Sequence, residues 1–375
     1  MKRFLFVVNV DWFFLSHRLN IGLKLISMGY EVHIAAQGTS EKNQSALQDY
    51  GFIFHNIPLE RGKTNIVKEF LLFVNLCFLF KKLNPEIIHL VTIKPVVFGG
   101  IASRIVKSNA VVSAISGLGY VFTSKGIVSS IRRRLIGVLY FFATNHFNQK
   151  IIFQNNDDLN LVSKFNPRVN KKSVLIRGSG VDLSKYVYTS QSFEKPRVLM
   201  ASRLLIDKGV FEYFKAAELA KEMNINIEFL LAGDIDLDNP NSLRALDLEL
   251  IKESNAIEYI GYHNNISDLM ATVNIVCLPS YREGFPKVLI EAAACGRAVI
   301  TTDIPGCRDA ILDGKTGYLV PVKDPKALLN AIVHLTTNKQ LCLDMGSEAR
   351  VYAEKKFDVD DIVKQHLEVY KSLRT

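Results

Sequence analysis

Pro279-Ser280-Tyr281-Arg282-Glu283-Gly284-Phe285-Pro286-Lys287-Val288-Leu289-Ile290-Glu291-Ala292-Ala293-Ala294-Cys295-Gly296 is the stretch that decides the fold. An apolar run precedes it at residues 275–278, and another follows at 298–301. Gly and Pro break 280–286 into a loop, residues 288–295 read as a helix, and Gly296 stops that helix. Strand, loop, helix, strand is the repeat of a parallel α/β sheet, where ligands bind outside the carboxyl ends of the strands. Two acids stand in that place, Glu283 in the loop and Glu291 in the helix. Loop amides and a helix N-terminus favour phosphates and hydroxyl oxygens. A carboxylate that accepts two neighbouring hydroxyls reads a ribose or a hexose. The competing reading is a pair of solvated surface acids, the fate of most Glu, and the setting disfavours it.

The same alternation runs through the whole chain. Strands are expected at residues 3–9, 31–36, 53–56, 87–90, 110–114, 151–154 and 174–176, then at 197–201, 227–232, 256–260, 275–278, 298–301 and 318–320. Helical patterns fall between them, for example at 18–28 and 95–106, and close the chain at 325–338, 340–356 and 359–373. A length of 375 residues exceeds what one core supports, so two doubly wound domains are expected. Residues 1–168 form the first, 169–196 the linker, 197–357 the second, and 358–375 a last amphipathic helix.

The five cysteines (77, 277, 295, 307 and 342) form no C-x-x-C pair, which argues for reduced thiols rather than a disulfide frame or a zinc site. Only seven residues separate Arg3 from Asp11, too few for the apolar region of a signal peptide. Residues 66–83 come nearest to a membrane span, but Lys68, Glu69 and Asn75 interrupt them, leaving a buried helix or a membrane-surface helix. Charge is unevenly placed. Residues 1–168 hold 20 Lys+Arg against 9 Asp+Glu, and the remainder 26 against 28. A basic first half fits an anionic membrane surface or a lipid diphosphate acceptor; nucleic acid competes, but no nucleic-acid motif is present. Arg132-Arg133-Arg134 opens a segment rich in Leu, Tyr and Phe that suits either an interfacial helix or a solvated helix face.

Glu283 and Glu291 in their setting resemble the signature Glu-x7-Glu motif of the retaining GT-B glycosyltransferases that use nucleotide sugars, the glycosyltransferase family 4 type. The resemblance implies two Rossmann-like domains facing across a cleft, with the closing helix crossing back to the first. It assigns Glu283, Gly284, Phe285 and Pro286 to the donor sugar and Glu291 to the nucleotide ribose. Pro286 replaces the more common Gly and lacks an N–H, so one sugar-directed amide is absent or supplied by Lys287. Ala201-Ser202-Arg203-Leu204-Leu205-Ile206-Asp207-Lys208-Gly209 resembles the family's Gly-Arg-Leu-x3-Lys-Gly segment, with Ser202 for Gly. Arg203 and Lys208 would then stabilise the departing diphosphate without a metal; the alternative is a surface Arg and Lys beside a helix start. Gly178-Ser179-Gly180-Val181-Asp182 resembles the family's hinge segment. Asp234-Ile235-Asp236 imitates the Asp-x-Asp metal site of the other glycosyltransferase fold, but follows a strand where GT-B relatives carry a turn. Neither a metal nor another cofactor is expected.

In the first half, residues 10–18 read as a loop from strand one to helix one, with His17 and Arg18 at the helix start, placed for phosphate or acceptor. His17 is open between a catalytic base or acceptor ligand and a capping or packing histidine. Gly117 and Gly119 belong to a second glycine loop that would leave room for a sugar ring. With the aromatic 11–17 loop, it makes the chain similar to bacterial enzymes that extend an undecaprenyl-diphosphate-linked sugar, such as N-acetylgalactosaminyltransferases. The implied activity is transfer of a hexose or N-acetylhexosamine, GalNAc favoured, from a UDP-sugar to a polyprenyl-diphosphate-linked sugar. It would take place on the inner face of the cell membrane, in assembly of a surface glycan such as O-antigen, capsule or a glycoprotein glycan. A GT-B sugar-nucleotide 2-epimerase and a non-catalytic sugar-binding protein are the rivals.

Overall fold

A computed structural model describes residues 2–60, 65–118 and 127–373, those at 127–133 by backbone alone. The chain divides into two compact units, one of residues 1–179 with 362–375, the other of 180–361.

In the first unit the elements run β1 (Lys2–Val10), α1 (Asp11–His17), α2 (Leu19–Ser27), β2 (Tyr30–Gln37), α3 (Glu41–Asp49), β3 (Ile53–Asn56), α4 (Ile66–Leu83) and β4 (Ile87–Val91). A π turn (Pro95–Gly99) then leads into α5 (Gly100–Ile105), followed by β5 (Val111–Ile115), α6 (Ile127–Ala143), β6 (Gln149–Phe153), α7 (Asn156–Ser163), α8 (Val169–Lys172) and β7 (Ser173–Leu175). Among the described residues the strands form one parallel sheet in the order β3-β2-β1-β4-β5-β6-β7. Its strands are apolar on both sides because both faces are covered. One face packs Phe4, Phe6 and Val8 against α1, α2 and residues 362–373, and the other packs Leu5 and Val7 against α4, the π turn and α5.

In the second unit they are β8 (Arg197–Ala201), a 3-10 turn (Ile206–Lys208), α9 (Val210–Glu222), β9 (Glu228–Ala232), α10 (Ala245–Glu253), β10 (Glu258–Gly261), α11 (Ile266–Ala271) and β11 (Ile275–Leu278). There follow α12 (Lys287–Ala294), β12 (Ala298–Thr302), α13 (Cys307–Ala310), β13 (Gly317–Val320), α14 (Pro325–Thr337), α15 (Lys339–Lys356) and α16 (Val359–Lys371), which ends in the first unit. The second sheet is also parallel, in the order β10-β9-β8-β11-β12-β13.

All thirteen expected strands are present, displaced by at most two residues at an end. One expectation is corrected. Residues 11–17 are helical rather than a loop: the Asp11 carboxylate accepts from Trp12 N (2.7 Å), and the break before α2 falls at Arg18, whose φ is −132°. The short strand expected within the linker stretch is present as β7, hydrogen-bonded to β6. The chain passes from the first unit to the second between Ser179 and Gly180, within the Gly178–Asp182 segment, where both glycines have positive φ. Among the described residues no helix is long and apolar enough to cross a membrane.

Candidate active site

In each sheet the strand order reverses next to the first strand, at β1/β4 and at β8/β11, and such a reversal opens a crevice at the carboxyl ends. At β8/β11 the two motifs of the second unit meet. The segment after β8 and the loop after β11 are tied together at Asp207, whose carbonyl accepts from Tyr281 N (2.8 Å) and Ser280 Oγ (2.8 Å). Gly209 has φ +77° and lies so close to the Pro279 carbonyl that any Cβ would collide with it. These contacts bring Lys208 to Glu283: the ammonium donates to Glu283 Oε1, in an ion pair 21% and 11% exposed.

Arg203 reaches the other way, donating to Asp236 Oδ2 at 2.6 Å from the loop after β9. Asp236 is thereby an arginine partner, and Asp234 Oδ1 accepts from Ile235 N (2.8 Å). Glu291, one turn into α12, is buried; its Oε1 accepts from the Tyr186 hydroxyl (2.6 Å) and lies 3.2 Å from Lys287 Nζ. Burial, then the Glu291 charge, pushes the Tyr186 phenol far above its ordinary range, so it stays a donor. Pro286 occupies the N-cap of α12, and the Phe285 ring packs edge-on against Phe357 with centroids 5.5 Å apart. The loop after β12 closes on the sugar-assigned segment from another side: a Cβ on Gly306 (φ +82°) would sit 2.5 Å from the Gly284 carbonyl oxygen. Cys307 beside it is buried, and burial together with Glu283 pushes its thiol up to about 12. Arg203, Lys208, Glu283 and Glu291 are thus all placed around the β8/β11 reversal.

The residues singled out in the first unit do not gather in the same way. The ring of His17 stacks on Phe13 (4.3 Å between centroids) with Nδ1 2.6 Å from Ser16 Oγ. Arg18 is 2% exposed and donates from Nη1 to the His17 carbonyl (2.9 Å). It lies in the interior among His89, His366 and Tyr370, and desolvation lowers its pKa to about 10. Gly117 follows β5 with φ +108°, and Gly119 lies outside the described residues. Three contributors were not found by sequence reasoning: Asp236 as the partner of Arg203, Tyr186 as the donor to Glu291, and Gly306 against Gly284. Asp236 was legible as an acid, but nothing local pairs it with Arg203.

Residues 190–352 match the model of the glycosyl transferases group 1 family, and residues 3–155 match that of the glycosyl transferase 4-like family. The N,N'-diacetylbacillosaminyl-diphospho-undecaprenol alpha-1,3-N-acetylgalactosaminyltransferase of Campylobacter jejuni is 30% identical over 311 residues, covering 80% of each chain. The chain belongs to the group 1 glycosyl transferases. A second relative of this glycosyltransferase is the UDP-Gal:alpha-D-GlcNAc-diphosphoundecaprenol alpha-1,3-galactosyltransferase of Escherichia coli, 25% identical over 299 residues, with 76% of this chain and 75% of the other covered. Among solved structures, Anabaena HepE in complex with UDP and glucose superposes with a TM-score of 0.78 at 18% identity, covering 99% of this chain and all of the other. The fold is that of a GT-B glycosyltransferase, with two Rossmann-like parallel sheets.

Proposed function

We propose that this glycosyltransferase moves a hexose or N-acetylhexosamine, GalNAc favoured, from a UDP-sugar to a polyprenyl-diphosphate-linked sugar, with retention at the anomeric carbon. The observation that carries the reading is the juxtaposition of Arg203, Lys208, Glu283 and Glu291 around one strand-order reversal. The Campylobacter and Escherichia relatives are named for undecaprenyl-diphosphate acceptors, which supports the acceptor class. Lys208 and Arg203 exchange their carboxylate partners for the diphosphate oxygens as donor binds, Glu291 takes the ribose, and Glu283 and the amides after it take the sugar. No protein nucleophile is called for. The acceptor hydroxyl enters on the face that the diphosphate leaves, and a diphosphate oxygen takes its proton while Arg203 and Lys208 hold the developing charge. His17 and Gly117 contribute to the acceptor side. No metal takes part, and the basic first half holds the enzyme at an anionic membrane surface on the cytoplasmic side.

The test is incubation with a panel of UDP-sugars and a short polyprenyl-diphosphate-sugar, read by mass spectrometry. An acceptor extended by one sugar, with α configuration at the new bond, is the expected product. Isomerised UDP-sugar without acceptor would favour an epimerase, and no donor turnover at all would favour a binding protein.

A further inference from the structure

Helix α4 is apolar on both of its sides, yet only one side is covered. Leu72, Leu76, Leu79, Phe80 and Leu83 face the sheet and are buried. On the outward stripe Ile66, Val67, Phe70, Leu71, Val74 and Phe78 are 45–87% exposed. Only Lys68 and Asn75 interrupt that stripe before the terminal lysines, and so large an uncovered apolar side belongs in an apolar environment. The stripe does not stand alone. α4 and α6 both pack against the π turn and α5. α6 adds Leu135, Val138, Phe141 and Phe142 as exposed apolar groups, and α5 adds Ile105 at its end. Exposed apolar surface on this scale marks an interaction face.

The opposite side of the same sheet serves as an internal control. There α2 exposes Asn20, Lys24 and Ser27, and the part of α16 in this unit exposes Lys364, Glu368 and Lys371. Exposed apolar groups on that side are single ones at helix ends, Met28 and Tyr50, whereas in the α4 layer they form a continuous stripe. Charge decides what that layer meets. By sequence the three helices contain one acid, Glu69, and it is ion-paired with Lys94 at 2.5 Å. The exposed cations Lys81 and Lys82 end α4, and Arg104 and Arg134 flank the apolar groups of α5 and α6. Phe and Leu on one stripe with Lys and Arg at its margins is the pattern of a helix lying in the headgroup boundary of an anionic bilayer.

We infer that α4 with α6 forms the membrane-docking face, with Phe70 and Phe78 entering the acyl boundary while Lys81 and Lys82 meet anionic headgroups. This rests on the membrane-surface part of the proposed function and deepens it: binding is apolar as well as electrostatic, so part of it resists salt. The layer also places a two-dimensional surface next to the unit assigned to the acceptor, as a lipid-linked substrate requires.

The experiment is flotation of the full chain with vesicles of phosphatidylcholine alone or mixed with phosphatidylglycerol, at low and at about 0.5 M salt, where charge attraction is largely screened. Three proteins are compared: wild type, Phe70→Ser/Phe78→Ser and Lys81→Gln/Lys82→Gln. The phenylalanine pair is expected to lower partition onto anionic vesicles on the order of 10-fold or more and to remove the salt-resistant fraction. The lysine pair lowers only the low-salt binding, by several-fold. UDP affinity and Tm of both stay at wild-type values, because all four side chains are exposed. Wild-type binding that the phenylalanine pair leaves unchanged overturns the assignment to α4 and leaves the membrane reading standing. No vesicle binding by the wild type overturns both. A wild-type dimer that the phenylalanine pair converts to monomer, with vesicle binding unchanged, gives the face to a second copy of the chain and overturns the proposal.

Discussion

The two sheets share an architecture and an order of winding, but their reversal points are furnished differently. At β8/β11 the charged groups pair with one another: Lys208 with Glu283, Arg203 with Asp236, the guanidinium 42% exposed, and Lys287 with Glu291. At β1/β4 the polar groups are committed inward. Asp11 is fully buried and accepts from Trp12 N, Thr39 N (2.7 Å), Thr39 Oγ1 (2.5 Å) and Asn43 Nδ2 (3.3 Å), while Thr92 Oγ1 donates to Asn9 Oδ1 (2.5 Å). Arg18, close by in sequence, is buried. Cations that keep part of their surface in water, as Arg203 and Lys287 do, can turn to a new anion, whereas a fully buried network resists rearrangement. On the proposed reading the second reversal trades its internal partners for a ligand's charges, while the first holds helices α1 and α2 in place.

The largest expected effect tests the exchangeable side of that contrast. Lys208→Ala and Arg203→Ala each remove a cation assigned to the leaving diphosphate, so kcat/KM should fall by roughly 100-fold or more. Steady-state kinetics with the folded variants decide it, and near-wild-type values would show that the ion pairs are structural like those of the first unit. Activity in EDTA should remain near that of the untreated enzyme; loss that Mg²⁺ or Mn²⁺ restores would contradict a metal-free site.

The two signature acids sharpen the comparison within the second unit. Glu291 is buried beside Tyr186 and assigned to the ribose, which does not change during the reaction. Glu291→Gln should raise donor KM and weaken UDP binding by about 10-fold, with kcat falling less. Glu283 is assigned to the hexose, which gains positive charge as its bond breaks, so Glu283→Gln should lower chiefly kcat, by roughly 10- to 100-fold. Calorimetry with UDP on both variants is the check; a Glu283→Gln that loses UDP affinity while Glu291→Gln keeps it would reverse the assignment.

How much of this was legible in the sequence follows the same division. The strands were, because both sheets are covered on both faces and their strands read as continuous apolar runs. The Glu283/Glu291 pair was, because loop and helix lie in one short segment and the Gly/Pro break marks their junction. Helix α1 was not: its sequence, Asp-Trp-Phe-Phe-Leu-Ser-His, has little helical periodicity, and packing of Phe14 against Phe6 and Phe52 overrides it. The burial of Arg18 was not either, since it depends on His89 and on His366 and Tyr370 from the far end of the chain. Nor was the Tyr186–Glu291 bond, which spans 105 residues.

That interior cluster makes a pH prediction for the first unit. Burial holds the His366 imidazole down to about 3 and His89 well below its ordinary range, and the Arg18 charge adds to both. An unfolded histidine titrates near ~6.5, so the unfolded chain binds the protons first as pH falls. The stability concerned is complete above about pH 6.5 and is lost progressively from there toward pH 3, at up to roughly 1.4 kcal/mol per pH unit for each histidine. His366→Gln should therefore flatten the fall of Tm between pH 6 and pH 4 while UDP affinity stays at the wild-type value. An unaltered slope would remove His366 from the acid response, and a loss of UDP affinity would show that the cluster serves more than the first unit's interior.

The smallest expected effect separates a positioning group from the ligand-bearing one. The Tyr186 hydroxyl donates to Glu291 Oε1, the oxygen that Lys287 also approaches, and on the proposed assignment Oε2 then faces a ribose hydroxyl. Tyr186→Phe deletes one hydrogen bond from a carboxylate that keeps its lysine, a loss of about 1 kcal/mol, or roughly fivefold in UDP affinity. Because Tyr186 touches Glu291, assigned to the ribose, kcat should hardly change and donor KM should carry the loss. The phenol's pKa lies far above its ordinary range, so the ratio of wild type to variant should be flat from pH 6 to pH 9. A fall in kcat matching that of Glu283→Gln would place Tyr186 near the reacting sugar. An unchanged UDP affinity would leave Lys287 as the group that sets the Glu291 carboxylate, and the double variant Tyr186→Phe/Lys287→Gln would then show the loss that the single one does not.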